Sequence, residues 1–110
     1  MENMERISIE IISAVGTARS LYIEAMRAAK KGDYHLATKK IAEGDKSFQQ
    51  GHQAHSELVQ TDVKKESSEL NILLVHAEDQ LMSAETFKIL ASEFVDLYQI
   101  MATKASIISL

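Results

Sequence analysis

Residues 70–83 read LNILLVHAEDQLMS, and their spacing decides the class of fold. Leu70, Leu73, Ala77, Leu81 and Ala84 recur at intervals of three and four, the period of a helix with one buried stripe. Ile72, Val75 and Met82 fall outside that stripe, beside His76 and Asp79. Apolar residues around an ionisable pair, on the side of a helix that faces water, suggest a docking surface. Asp79 and Gln80 stand one turn after His76, with Ser83 just beyond on the same face. A carboxylate or amide bonded to one ring nitrogen would fix the tautomer and aim the other nitrogen outward. Such an imidazole can be a base, a metal ligand or a nucleophile. On local residues alone, a solvated polar patch carries equal weight.

The same three–four alternation continues downstream through Gln80, Ala84, Phe87, Ala91, Phe94, Tyr98, Met101, Ala105 and Ile108. Leu74, Leu81, Val95 and Ala102 widen this stripe beyond what one partner helix needs. Upstream, Met4, Ile7, Ile11, Ala14, Ala18, Leu21, Ala25 and Ala28 form a first seam. Gly16 lies within it, where close packing by a neighbour would compensate its helix cost of about 1 kcal/mol. Gly32 is a natural stop and Asp33 a natural cap for a second helix running to about Lys65. Its seam is Tyr34, Ala37, Ile41, Gly44, Phe48, Gly51, His55 and Leu58. Glu66, Ser67 and Ser68 make the second break. Nothing reads as a strand. The expected fold is all-α, an antiparallel three-helix bundle forming a rod roughly 45 Å long at 1.5 Å per residue. The surplus apolar surface of the third helix predicts self-association through it.

Composition bounds the function. The 110 residues suit one domain spanning 1–110, 45% hydrophobic and 25% charged, with no proline and no cysteine. Thiolate metal sites and disulfides are thereby excluded. A formal net charge of -4 argues against sequence-independent nucleic-acid binding. The opening MENMERISIE lacks the pattern of a signal peptide, and no run approaches the roughly 20 apolar residues of a membrane helix. A cytoplasmic location with no membrane insertion is expected.

His52 and His55 share a helix face and could ligate a metal, but no Glu lies three residues before any histidine, as carboxylate-bridged bundle sites prefer. Polar packing is the simpler reading for both, and solvation for His35. If the third helix lines a three-fold axis, one Asp79 from each copy would meet there, an oxygen set suited to Mg²⁺. Taken alone, Asp79 reads as a single exposed carboxylate.

The run Leu73-Leu74-Val75-His76-Ala77-Glu78-Asp79-Gln80-Leu81-Met82 resembles LLVHAQDHLM, the signature of the enzyme IIA proteins of the lactose/cellobiose class of the bacterial sugar phosphotransferase system. Gly16-Thr17-Ala18-Arg19-Ser20 resembles the family's Gly-x-Ala-Arg-Ser run, and residues 28–33 its first interhelical turn. His52, ahead of Glu57-Leu58-Val59-Gln60, matches a family histidine. The resemblance implies a homotrimer, a nine-helix bundle. It implies that His76 accepts a phosphoryl group from the phosphocarrier HPr and passes it to a cysteine of enzyme IIB. The membrane component enzyme IIC then moves a β-linked disaccharide such as lactose, cellobiose or chitobiose. It further implies that Asp79 from each subunit binds Mg²⁺ at the axis. Ile72, Val75 and Met82 would then serve docking of HPr and IIB. Three positions depart from the pattern. Gln80 replaces a histidine and can support His76 without titrating. Glu78 replaces a glutamine and is expected to put negative charge near His76. His55 replaces a glutamine of many relatives. The competing reading is a helical interaction or regulatory module without chemistry. A four-helix histidine-phosphotransfer domain fits poorly, because its motif differs and only three helices are legible.

Overall fold

The computed structural model describes residues 2–63 and 72–108. Three helices follow one another: α1 (Glu2–Lys30), α2 (Tyr34–Val63) and α3 (Ile72–Ile108). The expected second break at Glu66, Ser67 and Ser68, and Leu70 of the third seam, lie outside the described residues. α1 is the central element, packing broadly on both neighbours, whereas α2 and α3 meet along a narrower strip.

The α1–α2 turn follows from two residues. Gly32 adopts φ +87°, which a side chain resists. Its N–H donates to the Ala29 carbonyl and the Asp33 N–H to the Ala28 carbonyl, both at 2.9 Å, closing the helix by a Schellman motif. Asp33 Oδ1 then accepts from the Leu36 N–H at 3.1 Å and caps α2.

The main core joins Ile7, Ile11, Val15, Ala18 and Tyr22 of α1 to Phe48 and Leu58 of α2 and to Ala77, Leu81, Ala84 and Ala91 of α3. A second cluster of Ala28, Ala29, Ala37 and Val95 closes the turn end. Tyr22 is fully buried and its phenol donates to Asp45 Oδ1 at 2.6 Å. Burial, reinforced by the Asp45 carboxylate, raises the phenol above its ordinary pKa and keeps it a neutral donor.

The rod measures 68 × 18 × 16 Å, longer than the 45 Å expected. The reason is α3, whose 37 residues span about 55 Å alone. The Tyr34 hydroxyl near the start of α2 donates to the Tyr98 carbonyl at 3.2 Å. Beyond that point α3 runs past the turn, and residues 99–105 are all exposed.

The glycines reverse one expectation. Nothing lies within 4 Å of where a Gly16 side chain would begin, so no neighbour packs closely against it. Close approach occurs instead on α2. A Cβ at Gly44 would meet the Tyr22 ring at 2.7 Å, and one at Gly51 would meet Val15 Cγ1 at 2.5 Å. Gly16→Ala should therefore stabilise the protein by about 0.5–1 kcal/mol through helix propensity. Gly51→Ala should destabilise it by about 1–3 kcal/mol, because overpacking outweighs the same gain. Urea unfolding at matched protein concentration would show opposite midpoint shifts; shifts of one sign would refute this account of the α1–α2 contact.

Candidate functional site

α3 places the site by presenting two opposite faces. Ala77, Ala84, Ala91 and Val95 are buried against the bundle, and small residues there let the helix sit close to α1. The opposite face carries Ile72 at 88% exposure and Met82 at 67%, with Val75 half exposed. His76 and Asp79 are exposed between them. The structure thus brings together His76, Asp79 and the three apolar residues singled out in the sequence, on one accessible surface of a rigid helix.

Gln80 is half-buried on the same flank as His76. Among the described residues, no hydrogen bond joins the imidazole to Asp79 or Gln80, contrary to the expected tautomer-setting contact. Both His76 and Asp79 lie on the water-facing side, where an isolated pair gains little by giving up solvent.

Glu78 corrects a second expectation. Successive helix residues turn by about 100°, so Glu78 leaves α3 about 160° from His76. Its Oε1 lies 2.6 Å from Nε2 of His55 on α2, a contact partly shielded from solvent. Its charge is directed toward α2 rather than toward His76. The two departures from the family pattern at positions 55 and 78 are therefore one contact. Local sequence could not reveal it, since the partners are 23 residues apart.

The remaining histidines stand apart from this surface. The His52 ring is exposed and tilts against Phe48, centroids 6.3 Å apart. His35 is exposed at the turn end. Among the described residues, no cluster of three or more His, Asp or Glu side chains within the chain could hold a metal. An ion at Asp79 would require carboxylates from other copies. An open groove of about 840 Å³ between α1 and α2, lined by Ile9, Ser13, Ala14, Gln50 and Ala54 among others, includes no group of the His76 surface.

Among the described residues, Glu5, Glu10, Glu57, Glu78 and Asp79 outnumber Arg6 toward the His76 end, whereas at the turn end Arg27, Lys30, Lys31, Lys39 and Lys40 are matched by Glu24, Asp33, Glu43, Glu93 and Asp96. The field at the His76 end favours an approaching partner with a basic face. No helix among the described residues is long and apolar enough to cross a membrane.

An exposed histidine on an acidic, apolar-rimmed helix face can take a transferable group from one protein and offer it to another. Comparison with known proteins agrees. Residues 6–99 match the family described as PTS system, lactose/cellobiose-specific IIA subunit. The lichenan-specific phosphotransferase enzyme IIA component of Bacillus subtilis is 40% identical over 98 residues, 89% of either chain. A lactose-specific EIIA component of Streptococcus mutans is 31% identical over 98 residues, 89% of this chain and 94% of that one. The crystal structure of the cellobiose-specific enzyme IIA from Bacillus anthracis superposes with a TM-score of 0.89 at 36% identity, covering 94% of this chain and 95% of the other. The three-helix chain belongs to the lactose/cellobiose-specific IIA family, the phosphoryl-carrying components of the sugar phosphotransferase system.

Proposed function

We infer that His76 is the phosphoryl acceptor, loaded by HPr and discharged to a cysteine of enzyme IIB during uptake of a β-linked disaccharide or related oligosaccharide in the cytoplasm. The observation that carries this reading is the position of His76: exposed, on the rigid water-facing side of α3, between Ile72, Val75 and Met82. A neutral ring nitrogen attacks phosphorus in line, and the bond from phosphorus to HPr breaks as the new N–P bond forms. A thiolate of IIB then attacks the same phosphorus and His76 leaves. The helix supplies position, since the reaction asks the protein mainly to orient groups and spread charge. Relatives named for lichenan and lactose support the sugar class, and transport itself falls to membrane enzyme IIC.

Assembly belongs to the same reading. Ile72, Asp79, Leu90 and Leu97 lie within about 20° of one another on α3, opposite its buried stripe. Three such faces meeting in a homotrimer would cover the apolar line, Ile72 included, leave Val75 and Met82 for docking, and bring three Asp79 carboxylates to one axis. Those oxygens would suit Mg²⁺, which would offset their mutual repulsion. Gln80, on the flank of His76, is placed to support the ring once partners close over it.

The test supplies HPr, its upstream kinase and labelled phosphoenolpyruvate, and maps the label by peptide. One acid-labile phosphoryl group per chain on His76, removed on adding IIB, is the expected result. An unlabelled chain would favour an interaction or regulatory module instead.

A further inference from the structure

The contact between His55 and Glu78 has a geometry that the transfer reaction does not itself require. It ties α2 to α3 along the strip where those two helices meet least. On α3 it lies two residues after His76 and immediately before Asp79. Buried apolar contacts hold the first turns of α3 mainly through Ala77 and Leu81, whose stripe faces the core. That stripe, with Leu74 packed against it, fixes the distance from the bundle, while rotation of the helix about its own axis is opposed chiefly by contacts at its flanks. A directed bond from one flank supplies that resistance. Two further polar links between α2 and α3, Lys88 to Asp45 at 4.0 Å and the Tyr34 hydroxyl to the Tyr98 carbonyl at 3.2 Å, lie nearer the turn end.

We propose that His55 and Glu78 are positioning residues: their bond sets the rotation of the first turns of α3 and so aims His76 and Asp79 from the opposite flank. The inference rests on the carrier reading for its consequence, but the bond's effect on α3 can be measured independently. Glu78 leaves α3 about 160° from His76 but beside Met82, one turn on, whereas His55 stands on α2, away from the docking surface. Loss of the bond through His55→Ala, which keeps the Glu78 charge, should therefore lower the rate of transfer at saturating donor and leave donor affinity unchanged.

The experiment compares wild type with H55A, E78A, H55A/E78A and H55Q/E78Q. Amide exchange over residues 74–82 should rise about fivefold in each alanine single variant, in keeping with a partly exposed ion pair. The double alanine variant should rise no further, because either change alone removes the bond. Two glutamines of similar reach can bond through their amides and should hold exchange within about twofold of wild type. Transfer from phosphorylated HPr should follow the same order, with half-saturation unchanged in H55A. Additive exchange in the double alanine variant, or exchange unchanged in both singles, would overturn the proposal. If wild-type His76 takes no label, the carrier reading fails while the exchange series still decides whether the bond orders α3.

Discussion

His76→Ala is expected to abolish acid-labile labelling of the protein, a loss of at least about a thousandfold, as for removal of a covalent nucleophile. The folded chain should scarcely notice. His76 is exposed and outside both core clusters, and alanine is the better helix former. The other histidines are placed to serve as internal controls. His35 sits at the opposite end of the rod, His52 leans on Phe48, and His55 is engaged with Glu78. None can take over at the same surface. Circular dichroism and the unfolding midpoint should match wild type, which separates loss of the acceptor from loss of structure. Label persisting in the variant, on any of the three, would sink the assignment.

Leu97→Glu should convert the proposed homotrimer to monomers at micromolar concentration. Leu97 is 48% exposed in the single chain and lies on the same line of α3 as Asp79, while its neighbours Ala91 and Val95 hold the core. In a three-fold arrangement each copy buries this leucine against two others. Removing it forfeits about 2 kcal/mol per chain, and three carboxylates forced together add repulsion. Summed over three chains the change exceeds about 6 kcal/mol, more than about 10⁴-fold in the association constant. Sedimentation equilibrium checks the outcome. A trimer that survives would show that another face of the rod makes the contact.

The helical fold was legible because every segment repeats its apolar residues at three and four. Met4, Ile7, Ile11 and Ala18 are buried as that rule expects, yet Val15 and Tyr22 are buried too. α1 has a neighbour on either side, so its buried face is wider than one seam. On α3 the strict alternation drifts by about 20° per heptad on a straight helix. Phe94 and Met101, expected inside, have rotated outward and are exposed, whereas Val95 is buried. The exposed surface of Ile72, Val75, His76, Asp79 and Met82 was readable for the complementary reason: it lies early on α3, before the drift accumulates. Glu78 was misread because a linear sequence shows neighbours along one helix, whereas its partner stands on another. Gly44 and Gly51 looked like weaknesses of the second seam. They are the places where Tyr22 and Val15 enter.

The reach of α3 past the turn at Gly32 divides the molecule's order between two owners. Up to Tyr98, each turn of α3 is braced by its own chain. From residue 99 to 104 the helix is exposed on every side, and it continues a helix already nucleated upstream. In the proposed homotrimer, like tails beside it would add packing that the single chain does not supply. On that reading its amide protection would gauge assembly, high when copies are gathered and low when they part, at the end of the rod farthest from the chemistry.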